Sequence, residues 1–190
     1  MANISEAYGT FTLCGTWSDE MIKNANILRE EWSDWCYNTI IDEEFNAEQT
    51  EYSFLGSGRW AYCRNLEYLG GWSKDTDKSE VLKAYAELCC DMEKNEAYIQ
   101  IDYADEESGC EVLYESTAKI SAADGEFVYE ELECEDYKYS PENLVKLDFY
   151  GSVEDFLESN CFEDCEECSY SRLCKKENFK LINDERKVNA

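Results

Sequence analysis

The chain has 190 residues and a formal charge of −27 at pH 7, with 44 Asp and Glu against 17 Lys and Arg and no His. The missing imidazole excludes Ser-His-Asp and Cys-His hydrolases, His-ligated zinc hydrolases and any His acid–base mechanism. The charge disfavours direct contact with nucleic-acid phosphates or an anionic membrane surface.

With 44% hydrophobic residues, including 5 Trp, 14 Tyr and 8 Phe, the composition is that of a packed core rather than of a disordered acidic chain. Residues 8–17 are β-branched and aromatic and read as a first strand. Ser18 is placed to cap a helix. Met21, Ala25, Leu28, Trp32, Trp35 and Thr39 recur at spacings of three and four, which predicts that this helix runs to about Ile41. An acidic loop over 42–51 precedes a strand at 52–55 that runs into Gly56-Ser57-Gly58, where the glycines predict a tight turn or a bulge. The following Arg59-Trp60-Ala61-Tyr62-Cys63-Arg64 reads as arginines neutralising nearby acids around a core Trp60. The alternative is a guanidinium stacked on a ring to recognise a carboxylate.

Leu82, Tyr85, Cys89 and Met92 give one face of a second helix, over about 77–94. The period then changes to two. Ala97, Ile99, Ile101 and Tyr103 alternate with polar residues, and the turn signals Asp105–Gly109 and Ala123-Asp124-Gly125 separate further strands at about 110–120 and 126–135. Residues 96–136 therefore read as a three-stranded antiparallel meander. Phe127 and Tyr129 share a parity that Leu132 and Cys134 do not, which predicts a bulge near Glu130-Glu131. Ser140-Pro141 starts one short helix, and Ser152 caps another through Ser159. The expected fold is α+β: an antiparallel sheet packed by helices on one face over residues 1–150, with a cysteine-containing helical appendage and a basic tail over 151–190.

Between Asp91 and Asp136 stand sixteen carboxylates and two lysines, about half of the net charge. On a strand, alternate side chains project to one side about 6.7 Å apart and the next strand lies about 4.8 Å away. Duplex DNA carries one charge per about 1.7 Å of axis, a density that an acidic sheet can approach. The candidate partner-binding residues are Asp105, Glu106, Glu107, Glu111, Glu115, Glu126, Glu130, Glu131, Glu133, Glu135 and Asp136. The competing readings of this charge are solvation of an outer face and a calcium store, although no D-x-[DN]-x-[DN]-G loop is present.

Cys161, Cys165, Cys168 and Cys174 form a C-x3-C-x2-C-x5-C run with the spacing of a structural zinc site or an iron–sulfur cluster; the alternative is free or oxidatively paired thiols. The segment from Cys165 to Cys174 resembles the C-terminal cysteine run of iron–sulfur nucleases, which implies such a cluster. Cys14, Cys36, Cys63, Cys89, Cys90, Cys110 and Cys134 read as core thiols. The N-terminus has neither the basic nor the apolar region of a signal peptide, so the expected location is the cytosol, the host cytosol if the chain is phage-encoded.

In size, acidity and charge layout the chain resembles phage and mobile-element anti-defence proteins, including anti-CRISPR and antirestriction DNA mimics. That resemblance implies a non-enzymatic inhibitor whose acidic surface blocks the nucleic-acid groove of a basic protein such as a Cas nuclease. The alternatives are a zinc- or iron–sulfur-containing enzyme or redox protein, and an acidic interaction module in which Trp and Tyr carry the affinity.

Overall fold

A computed structural model describes residues 4–33 and 37–160. The chain falls into two compact units, residues 1–138 and 139–190. The chain leaves the sheet there, after the Tyr137 amide donates to the Leu113 carbonyl at 2.8 Å.

The first unit is α+β. Its strands are β1 (Ile4–Cys14), β2 (Tyr37–Ile41), β3 (Glu51–Arg59), β4 (Tyr98–Glu107), β5 (Val112–Ala123) and β6 (Glu126–Asp136). They form one six-stranded sheet in the order β2-β3-β1-β4-β5-β6, with every neighbouring pair antiparallel. The meander is present as expected. Its second hairpin turns at Asp124-Gly125 with positive φ at both residues, the geometry that lets a two-residue turn follow strand twist. The frame change in β6 is also present. Thr117 faces Glu133 while Ala118 faces Glu131, so the unpaired residue is Leu132, one position beyond the expected site.

Helices α1 (Asp19–Trp32), α2 (Tyr62–Glu67), α3 (Leu69–Lys74) and α4 (Ser79–Asn95) pack on one face of this sheet. The Ser18 hydroxyl caps α1 by accepting from the Met21 amide at 3.2 Å. Met21, Ala25, Leu28 and Trp32 of α1 and Val81, Ala84, Leu88 and Met92 of α4 are buried against Phe11, Phe54, Ile99, Ile101 and Ile120. Contrary to expectation, α1 ends at Trp32, and Tyr37–Ile41 forms an edge strand. The alternation of buried Tyr37, Thr39 and Ile41 with exposed Asn38 and Ile40 outweighs the helical spacing that Thr39 happens to extend.

Packing departs from expectation at three further residues, Gly56, Trp60 and Leu82. Gly56 lies within β3, not in a turn; a Cβ there would approach Tyr37 Cε1 to 2.6 Å, so glycine makes room for the ring. Trp60 is 57% exposed with φ 67°, and the chain turns there from β3 towards α2 instead of burying the indole. Leu82 is also exposed, since Val81, Ala84, Tyr85 and Leu88 already fill the buried face of α4.

In the second unit, α5 (Pro141–Lys146) and α6 (Val153–Ser159) start at the two expected caps. The Ser140 hydroxyl accepts from the Asn143 amide at 3.4 Å, and the Ser152 hydroxyl accepts from the Asp155 amide at 3.1 Å. Cys161, Cys165, Cys168 and Cys174 lie outside the described residues, as do Trp35, Cys36 and the basic tail.

Candidate interaction surface

The acidic residues of the meander separate into three groups. Asp105, Glu106 and Glu107 are buried, because β4 extends through them where the sequence signals a turn. They contribute nothing to an outer surface. Asp105 is fully buried, and its carboxylate is met by three donors. The Ser5 hydroxyl donates to Oδ1, and the Tyr62 amide and the Tyr114 hydroxyl donate to Oδ2, each at 2.7 Å. The Ser5 hydroxyl also lies 3.0 Å from the Tyr37 hydroxyl. Asp105 thus supplies, from a distant strand, the cap that Ala61 cannot give to α2. Burial pushes its carboxyl above the usual carboxylate range, and the hydrogen bonds oppose that shift.

Glu126 stands at the start of β6 and is tied to the helices. The Lys74 ammonium donates to its Oε2, which lies 3.2 Å from the Tyr85 hydroxyl. The hydrogen bond from Lys74 holds this carboxyl below its usual range. Phe127 packs on Tyr85 with ring centroids 4.8 Å apart, so the first part of β6 is anchored.

From Glu130 to Asp136 the strand is exposed at every position. Since alternate residues on a strand face opposite sides, neither side of β6 is covered here. Register assigns Glu130, Glu133 and Glu135 to the outer side, opposite Lys119, Thr117 and Glu115, and Glu131 and Asp136 to the helix side, opposite Ala118 and Tyr114. The Leu132 bulge sorts them this way. The result is an acidic ridge along the last strand of the sheet, with carboxylates on both flanks. Lys119 Nζ lies 3.8 Å from Glu130 Oε2, but Glu115 faces Glu135 directly, a like-charge pairing that costs stability. The Tyr137 hydroxyl donates to Glu115 Oε2 at 2.7 Å.

Beside the ridge, on the outer face, lies a groove of about 720 Å³ lined in part by Tyr8, Asp102, Ala104, Glu115, Glu133 and Glu135. Asp102 is not among the candidate residues, although its parity with Gln100 in the alternating stretch places it on this face. Its Oδ1 accepts from the Thr117 hydroxyl at 2.6 Å, and its Oδ2 accepts from Gln100 Nε2 at 2.8 Å. Gly9 permits the close approach of β1 to β4 under the groove, since a Cβ there would overlap the Asp102 carbonyl. Glu111, after the 3₁₀ turn Ser108–Cys110, is exposed but outside the ridge.

The other candidates divide similarly. Arg64 pairs with Glu67 at 2.7 Å within α2. Of the expected core thiols, Cys89 is buried, and burial pushes its thiol up to about 11. Cys14 and Cys63 are half-buried. Cys90, Cys110 and Cys134 are exposed, on the open side of α4, on the 3₁₀ turn and on the ridge. Among the described residues, no three Cys, Asp or Glu side chains converge to hold a metal ion, and no helix is long and apolar enough to cross a membrane.

Comparison with protein families, with curated proteins and with solved structures finds no match to this chain.

The sequence shows the acids of the ridge and the parity change that marks the bulge, but not the place of β6 at the edge of the sheet, which leaves the two rows uncovered.

Proposed function

We propose that this protein is a non-enzymatic inhibitor that inserts an acidic ridge into the nucleic-acid-binding groove of a basic protein, acting in the cytosol. The observation that carries this reading is the uncovered half of β6, Glu130–Asp136, with carboxylates projecting to both sides. A groove built for a duplex is concave and lined with Lys and Arg. A projecting strand with a row of acids on each flank offers it the shape and sign of a phosphate backbone, which a flat acidic face does not. The target class is a nuclease or other DNA-binding protein of a defence system, such as a Cas nuclease. Association is expected to be fast and strongly salt-dependent.

The test is displacement of labelled duplex from purified Cas nucleases and restriction endonucleases at low salt. Wild-type protein is expected to release the duplex from a susceptible enzyme, and the Glu130→Lys, Glu133→Lys, Glu135→Lys variant is expected not to. Equal release by the variant, or no release from any of the enzymes, would overturn the proposal.

A further inference from the structure

The outer face of the sheet has a second character that the ridge does not use. Strand pairing aligns one residue from each strand in a single row: Ile40 opposite Leu55, Leu55 opposite Tyr8, Tyr8 opposite Ala104, Ala104 opposite Glu115, and Glu115 opposite Glu135. Five inter-strand steps of about 4.8 Å make this row about 24 Å long. Its chemistry changes in one direction. Ile40 and Leu55 are 50% and 62% exposed, Tyr8 is half-buried, Ala104 is buried on the floor of the groove, and two glutamates end the row at the ridge. The core does not need the two aliphatic side chains, since Ile41 and Phe54 next to them in sequence point inward and are buried. β2 carries no charged residue, whereas the opposite edge strand is dominated by carboxylates.

We infer that this row is one docking strip for the basic partner, open at its two ends, which sets an aliphatic or aromatic anchor over Ile40 and Leu55 and its Arg or Lys side chains over the groove and ridge. The inference rests on the reading of the ridge and adds a second chemical requirement to the partner. The span of the row, about 24 Å, is within reach of a single extended segment and favours one occupant for both ends. Charge decides which: a second copy of this chain brings another −27 to the contact and an anionic lipid surface is repelled, while a basic protein segment is attracted. The two ends also answer salt differently. Contacts to the ridge are screened, but burial of Leu55 and Ile40 is not.

Two synthetic arginine peptides of equal length and charge test this, one with serine between the arginines and one with leucines at one end. Wild-type protein is expected to bind both at about 0.1 M salt, and at about 1 M salt to prefer the leucine peptide by on the order of tenfold. The Ile40→Thr, Leu55→Thr variant changes exposed positions to a β-compatible residue. It is expected to bind both peptides at low salt and to lose the preference. A preference that survives in this variant, or none in the wild type, would overturn the strip while leaving the ridge intact. Binding of neither peptide, or binding unaffected by reversal of Glu130, Glu133 and Glu135, would remove the ridge and the strip together. Self-association of the wild type that the Ile40→Thr, Leu55→Thr variant abolishes would assign the apolar end to a second copy and overturn the inference.

Discussion

Asp105 shows how little a residue's type says about its role. In the sequence it opens a run of three acids before Ser108-Gly109, which reads as an exposed turn; in the structure it lies in the core and accepts from Ser5, Tyr62 and Tyr114. A run of like charges carries no period, so the sequence could not show where β4 ends. Asp105→Ala would leave these donors without a partner and is expected to cost about 3 kcal/mol in urea unfolding. The pH dependence has a definite sign. Because burial raises the folded-state pKa of Asp105, its linkage contribution is fully present below the ordinary carboxylate pKa and is lost as pH rises through the raised value. Asp105→Asn, which cannot ionise, is therefore expected to gain stability relative to wild type as pH rises from about 4 to about 7. Unfolding curves of the two proteins at both ends of this range check the sign, and a relative loss would contradict the shift.

At the level of elements, the features set by local chemistry were legible. The Ser18, Ser140 and Ser152 caps, the Asp124-Gly125 hairpin and the period-two alternation of 97–103 each specify structure within a few residues. What was not legible depends on distant partners. Tyr37–Ile41 becomes a strand because β3 pairs with it, and α2 begins where Asp105 reaches its first amide. Parity places the bulge in β6 to within one residue, but its consequence depends on the strand order. Deleting Leu132 removes the unpaired residue and keeps Glu133 opposite Thr117 and Glu135 opposite Glu115, on the outer side. Since both sides of this half of β6 are exposed, the variant is expected to stay folded and to keep its affinity for the arginine–serine peptide. A marked loss of affinity in a folded deletion variant would show that the bulge contributes more to binding than the sorting of the acids.

For the whole molecule, the charge of −27 acts in two opposite ways. Within the chain it is self-repulsion, so added salt is expected to raise the midpoint of thermal unfolding. Towards a basic partner it is attraction, so the same salt is expected to weaken binding. A protein whose acids only confer solubility shows the first effect without the second. The structure also narrows where the charge acts: three of the eleven candidate acids are buried, one is tied to Lys74, and Glu130, Glu131, Glu133, Glu135 and Asp136 stand together on the ridge. The most direct test is the salt dependence of affinity for the arginine–serine peptide, measured for wild type and for Glu130→Gln, Glu133→Gln, Glu135→Gln. The ridge predicts weaker binding by the variant and a shallower fall of affinity with salt, in proportion to the charges removed. Equal affinity and an equal slope for the two proteins would contradict it.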